Sequence, residues 1–371
     1  MHELSPVPQL DPGPPSEWFQ CTQVDDFLCV PWRATAAPGA RLPRRYRDPV
    51  PGPAARRVLV TRQLPRGGLD PLIDAGHEIV QRPDDEPLTG DQLRAAASEA
   101  DAIISVLTDR IDATVIAAAP KLRVVANVAV GYDNIDLEAA RRAGIVVCNT
   151  PGVLDETTAD LAFALILAAS RLLGQAERDL RAGHWAGWGV GQYLGHDVHG
   201  ATLGVVGYGR IGRAVARRGE GFGMRVLHHA RHPSGTPGYV GDLDELLAQS
   251  DVVTLHLPLD DGTRRLLDHR RLAAMRPTAV LVNTSRGPVV DEEALAIALE
   301  EGRIFAAGLD VFEHEPAVHP RLLAAPRVVV TPHIGSASVA TRTRMARMAA
   351  EGVRAVLAGE VPHNLVGERP Q

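Results

Sequence analysis

Cysteine is scarce in this chain: Cys21, Cys29 and Cys148 are the only three among 371 residues. Thiols so few and so widely spaced make neither a metal cluster nor a disulfide framework, which points to a reducing compartment, the cytoplasm. Basic residues are not in excess either. Against 39 Lys and Arg stand 45 Asp and Glu, a net charge of −6, so there is no basic footprint for nucleic acid. No apolar run approaches the length needed to span a membrane, and the start of the chain lacks the pattern of a secretory signal. Small anionic ligands are therefore held by local groups rather than by a global field. What remains, 45% hydrophobic and 23% charged, is the composition of a soluble globular protein long enough for two domains.

Periodicity is missing from one end. Residues 1–56 hold 11 of the chain's 28 prolines, broken by isolated aromatics such as Trp18, Phe19 and Trp32. No helical or strand period survives that density, and the segment reads as a disordered extension. From Val58 onward short apolar runs alternate with helix-patterned segments, predicting strands at 58–60, 77–80, 102–106, 122–126 and 145–147. A second series follows at 203–206, 225–231, 251–256, 279–283, 305–309 and 328–331. Such alternation argues for doubly wound parallel sheets with helices on both faces. The expected domains are residues 57–150, completed by a C-terminal helix within 336–365, and residues 151–335. Residues 149–154 form a natural hinge. An almost wholly apolar helix over 156–173 is expected to be buried or to lie in a subunit interface. For the glycine-rich stretch 183–200, with Trp185, Trp188 and Tyr193, packing at a dimer interface and a ligand role are both open.

The most informative stretch is the βαβ unit over 202–231. A strand-like run ends in Gly207-Tyr208-Gly209-Arg210-Ile211-Gly212, and a helix with Ala214 and Val215 on its apolar side follows. Gly207 permits the tight turn, Gly209 lets backbone approach a pyrophosphate, and Gly212 lets the helix pack close to its strand. The flanking strand and helix lift the pattern above a glycine-rich surface turn, and the unit reads as a dinucleotide site. No such fingerprint follows any strand of the first series.

Three strand ends in the second series carry ionisable residues: Arg286 in Asn283-Thr284-Ser285-Arg286-Gly287, Glu315 in Phe312-Glu313-His314-Glu315-Pro316, and His333 in Thr331-Pro332-His333-Ile334-Gly335. Open α/β sheets place ligands at such ends. An Arg grips a carboxylate in two parallel hydrogen bonds, and a carboxylate beside a His fixes its tautomer and favours its protonated form. Together they are what reduction of a 2-oxo acid needs. Taken singly, each has a plainer reading: a surface charge, a turn residue, a loop histidine. His228, His229 and His232 read as a solvated strand end rather than metal ligands, because adjacent strand positions face opposite ways. No metal is expected.

These segments resemble the D-isomer-specific 2-hydroxyacid dehydrogenases, closest in look to glyoxylate and hydroxypyruvate reductases. The resemblance covers about residues 58–361. It is carried by Val130-Gly131-Tyr132-Asp133-Asn134-Ile135-Asp136, Thr150-Pro151-Gly152-Val153-Leu154, the glycine fingerprint, the three strand-end motifs, and Gly308-Leu309-Asp310-Val311. Glu315 lies 29 positions after Arg286 and His333 a further 18, spacings that suit the family. The resemblance implies two Rossmann-like or flavodoxin-like domains with the active site in the cleft between them, and a homodimer built on 151–200. His333 would be the proton donor, Glu315 its partner, and Arg286 the clamp on the substrate. The backbone of Val130 and Gly131 would bind the far side of the carboxylate, with Leu107 and Trp188 shaping the substrate pocket, the latter from a partner subunit. The cofactor would meet Gly207, Gly209, Arg210, Ile211, Gly212, His256, Pro258 and Thr284, while Asp310 would hold the nicotinamide carboxamide.

One position sets the expected cofactor. NAD-specific sites place Asp or Glu at the end of the second strand to bind the ribose 2′-OH. Here Ala230 lies 18 residues beyond Gly212, with Arg231 next. That leaves room for a 2′-phosphate and a cation to grip it, so NADPH is expected to be preferred, with NADH possible. Two rivals remain: a phosphoglycerate dehydrogenase, and a dinucleotide-sensing regulator of the corepressor type. Against the first stands the lack of room for a regulatory C-terminal domain, and against the second the lack of a basic surface or long C-terminal tail.

Overall fold

The computed structural model describes residues 55–82, 85–233 and 235–367. Nearly all of the proline-rich extension, including Cys21 and Cys29, lies outside the described residues. The first sheet contains β1 (Arg57–Val60), β2 (Glu78–Gln81), β3 (Ala102–Ser105), β4 (Val124–Asn127) and β5 (Val146–Cys148). All its pairs are parallel, in the order β2-β1-β3-β4-β5. The second contains β6 (Thr202–Val206), β7 (Arg225–His229), β8 (Val252–Leu255), β9 (Val280–Asn283), β10 (Ala306–Leu309) and β11 (Val328–Val330). It is also parallel, in the order β11-β10-β9-β8-β6-β7. In each sheet the chain reverses direction after its second strand. The resulting switch points, between β1 and β3 and between β6 and β8, are where crevices open at the carboxyl ends of strands.

The strands read as unbroken apolar runs because both faces of each sheet are covered. In the first sheet Leu59, Ile103, Val125 and Val147 point into one core cluster. Their neighbours Val58, Val60, Ala102, Ile104, Val124 and Ala126 point into the other. The last helix, Val339–Leu357, is capped by Ser338, whose Oγ accepts from the Thr341 amide at 3.1 Å. Its stripe of Ala349, Ala350, Val353 and Val356 joins that second cluster, so the helix closes the first sheet. Among the described residues no single helix is long and apolar enough to cross a membrane.

The apolar hinge helix spans Asp155–Ser170 and buries Ala159, Ala162, Phe163, Leu165 and Ile166 within the subunit, against the second sheet. A Cβ on Gly308 of β10 would meet the Leu165 Cβ at 2.9 Å, which shows how closely helix and sheet approach. It ends earlier than its composition predicts. Leu172 adopts a left-handed φ of 54°, and a separate polar helix, Leu173–Arg181, follows. The returning chain meets the break: the His196 amide donates to the Ser170 carbonyl at 2.9 Å.

The solvated reading of the histidine strand end needs correction at His228, which is fully buried. Its ring stacks on Tyr208 with centroids 3.7 Å apart, and its Nε2 lies 3.1 Å from the Thr236 hydroxyl. Burial, aided by the charge of Arg213, holds its pKa below the ordinary value. A neutral imidazole therefore packs beneath the glycine turn.

Candidate active site

Three loops at the carboxyl ends of β9, β10 and β11 are locked together by backbone approach. After β9, the Asn283 side chain accepts from the Ser285 amide at 3.0 Å and donates to the Arg286 carbonyl at 2.9 Å, closing a tight turn. Gly287 then lies against the β10 loop, where an added Cβ would fall 1.9 Å from the Phe312 carbonyl carbon. That approach brings the Arg286 loop beside the Glu315 loop.

Asp310 organises the third loop. Its carboxylate is fully buried and accepts from the Thr331 hydroxyl at 2.6 Å, the Ile334 amide at 2.8 Å and the Gly335 amide at 2.8 Å. Burial, the largest influence, leaves this carboxyl above its ordinary value despite those donors. These three bonds fill both acceptor positions of Oδ1 and one of Oδ2, leaving one Oδ2 position for the nicotinamide carboxamide contact that the resemblance implies. The Asp310 carbonyl accepts from the His333 amide at 2.9 Å. These bonds hold His333 at a φ of 53°, a left-handed conformation that costs a non-glycine residue about 1–2 kcal/mol.

Held in this way, His333 places Nδ1 2.9 Å from the Glu315 carboxylate. The other Glu315 oxygen accepts from the Phe312 amide at 3.0 Å. Burial pushes the Glu315 carboxyl up, but the His333 hydrogen bond and charge, the Phe312 amide and the Arg286 charge together bring it below its ordinary value. An ionised carboxylate only accepts, so Nδ1 carries a proton and Nε2 is the ring's remaining polar atom.

Arg286 reaches the first lobe. Its Nε donates to Asp133 at 3.1 Å and its Nη1 to the Ser285 carbonyl at 2.8 Å. Its Nη2 lies so close to Gly131 that a Cβ there would sit 1.7 Å away. The Val130 and Gly131 carbonyls are tied back, the first by Asn149 Nδ2 at 2.8 Å and the second by Asn127 Nδ2 at 2.9 Å. The dipeptide's remaining backbone polar groups are its N–H groups. Asn134 joins this loop to that of half-buried Leu107 by donating to the Val106 and Asp109 carbonyls at 3.2 and 2.9 Å. Arg286, Glu315 and His333 are thus brought together. Asp133, which sequence reasoning assigned no role, joins them from a motif already singled out. Trp188 does not pack on its own chain and is 84% exposed.

The fingerprint crevice fits a dinucleotide on three observations. A Cβ on Gly207 would strike the His256 carbonyl at 2.4 Å, and one on Gly212 the Gly207 carbonyl at 2.1 Å, whereas Gly209 faces open space. The helix Arg210–Gly221 begins at Gly209 with no side-chain cap, so its first amides are available to an anion. The Thr284 hydroxyl is buried without a protein partner, an orphan that a ligand group satisfies. At the rim Arg210 is exposed, Ile211 half-buried and Pro258 exposed. Burial holds the His256 imidazole down at about 3, so it brings no charge, and its Nε2 lies 2.9 Å from the Thr254 hydroxyl. Ala230 is half-buried. Arg231 does not stand alone: it pairs with Asp260 at 2.6 Å.

Two doubly wound lobes, a glycine fingerprint and an Arg, Glu and His trio define a two-domain dehydrogenase that uses a nicotinamide dinucleotide. Comparison with known proteins agrees. The model of the D-isomer specific 2-hydroxyacid dehydrogenase NAD binding domain matches residues 163–335. The glyoxylate reductase of Korarchaeum cryptofilum is 50% identical over 322 residues, 84% of this chain and 96% of that protein. A Thermus thermophilus protein of known structure is similar with a TM-score of 0.80 and 48% identity, over 84% of this chain and 100% of that one. The NADPH-dependent glyoxylate/hydroxypyruvate reductase of Sinorhizobium meliloti, solved with NADP and malonate, has a TM-score of 0.76 and 36% identity, over 85% and 98% of the two chains. This chain belongs to the D-isomer-specific 2-hydroxyacid dehydrogenase family.

Proposed function

We propose that the protein reduces a small 2-oxo acid, glyoxylate or hydroxypyruvate, to the D-2-hydroxy acid with NADPH as its preferred cofactor and NADH as a second. The observation that carries this reading is the His333–Glu315 pair at 2.9 Å with Arg286 beside it. A bound reduced nicotinamide supplies a hydride to C2 of the oxo acid. His333 holds the proton that the carbonyl oxygen takes up as C2 is reduced, and Glu315 keeps the ring oriented and balances its charge. Arg286 grips the carboxylate and stabilises the charge growing on the carbonyl oxygen, a contribution of about 3 kcal/mol for one well-placed donor. The N–H groups of Val130 and Gly131 hold the carboxylate's other side.

In this reading residues 57–150 with the last helix bind substrate, and residues 151–335 bind the dinucleotide. The working form is a cytoplasmic homodimer. Supporting it is the exposure of Trp188, Val190 and Leu194 at 84%, 81% and 68%, an apolar set that its own chain leaves uncovered. The test is a spectrophotometric screen of NADPH and NADH against glyoxylate, hydroxypyruvate, pyruvate and phosphohydroxypyruvate. Turnover of either of the first two with NADPH above all other pairs is expected; a best rate with phosphohydroxypyruvate overturns the substrate assignment.

A further inference from the structure

We infer that Asp260 is a specificity-determining residue of the dinucleotide site, a built-in competitor that opposes a 2′-phosphate at Arg231 and so limits the preference for NADPH. The inference rests on the proposed reading of Arg231 as the 2′-phosphate cation. β7 and β8 flank β6, so a bridge between their carboxyl ends passes over the Gly207 turn. Arg231 follows β7, Asp260 follows β8, and the guanidinium Nη2 donates to Asp260 Oδ2 at 2.6 Å. That bridge stands at the end of the second strand, where this class of site meets the adenosine ribose.

The two partners are not equally mobile. The Asp260 carboxylate sits on a preorganised turn: its Oδ1 accepts from the Gly262 amide at 2.9 Å, and its own amide donates to the Thr263 hydroxyl at 2.8 Å. That hydroxyl in turn donates to the Pro258 carbonyl at 2.7 Å. The Arg231 side chain is 68% exposed on a flexible stem. A 2′-phosphate can therefore draw the guanidinium away, but the carboxylate stays where the turn holds it. Hydrogen bonds led by that from Arg231 keep the Asp260 carboxyl below its ordinary range, so it is charged at every working pH. The phosphate then shares its cation with a fixed anion and is repelled by it. The ribose of NADH, carrying no phosphate, meets no such conflict.

Binding measured without turnover tests this: dissociation constants for NADPH and NADH, by calorimetry or nicotinamide fluorescence, on the unmutated protein, Asp260→Asn, Asp260→Ser and Arg231→Ala. Removing the carboxylate is expected to tighten NADPH by about two- to fivefold, the scale of one exposed charge interaction. The NADH-to-NADPH ratio of dissociation constants should rise accordingly, and the gain should shrink at high salt. An Asp260→Asn protein that binds NADPH no more tightly, while Arg231→Ala weakens it, overturns the inference and leaves the cofactor reading standing. Unchanged NADPH binding in Arg231→Ala overturns the cofactor reading, and the inference with it. Asp260→Ser keeps the measurement interpretable should the Asn variant disturb the turn.

Discussion

Arg286 donates from Nε to Asp133 at 3.1 Å, joining the loop after β9 to the loop after β4 across 153 positions of sequence. With Nε held by Asp133, the end of the guanidinium is pressed against the Gly131 backbone, and there is no room for a side chain between them. The clamp is therefore aimed by its surroundings before substrate arrives.

Gly131→Ala follows directly from that contact. The obstructing atom is the end of a flexible side chain, so the fold tolerates the methyl group while the guanidinium is pushed aside. The melting temperature should stay within about 2 °C, with kcat/KM for the oxo acid falling about 10²-fold. Arg286→Lys should produce a comparable loss, because an ammonium cannot make the planar two-point grip. Cofactor dissociation constants should hardly change in either; equal damage to cofactor binding would place Arg286 in the wrong site.

His333→Gln should lower kcat by about 10²–10⁴, the usual worth of a positioned acid or base, with cofactor binding kept. Glu315→Gln should lower kcat for reduction with cofactor binding kept, because a neutral amide can still accept from Nδ1 but cannot balance the charge on the ring. The same carboxyl also links pH to stability. Its value in the folded protein lies below the ordinary one, so its contribution is present above the ordinary carboxylate range and lost as pH falls through the folded value. Acid unfolding of Glu315→Gln should accordingly be less steep in pH than that of the unmutated protein, as followed by circular dichroism.

Ala230→Asp should shift preference toward NADH by supplying an acceptor for the 2′-OH and repelling a 2′-phosphate. Arg231→Ala should weaken NADPH, reduce its salt dependence and spare NADH. Steady-state kcat/KM for the two cofactors is the readout, and equal values in the unmutated enzyme would contradict the assignment.

Trp188→Ala should alter kcat/KM for the oxo acid while leaving cofactor affinity unchanged, if the side chain enters a partner's pocket. Sedimentation should give a dimer for the unmutated protein. A monomer with full activity would remove Trp188 from the site.

Much of the fold was legible in the sequence because it rests on local rules. Alternating apolar runs mark strands covered on both faces, and Gly207 and Gly212 stand where any side chain would strike backbone. The order of the motifs also marked Arg286, Glu315 and His333 as one set. Tertiary structure alone decided the partners of charged and polar side chains. Asp310 was singled out for a ligand contact, and folding also makes it the acceptor for three groups of the His333 loop. His228 was read as solvated, yet the Tyr208 ring covers it. Arg231 was read as a cation for a 2′-phosphate, and folding sets Asp260 beside it across the turn. Each of these contacts depends on which strand ends become neighbours. Strand order is settled by packing across the whole sheet, and no local period in the chain encodes it.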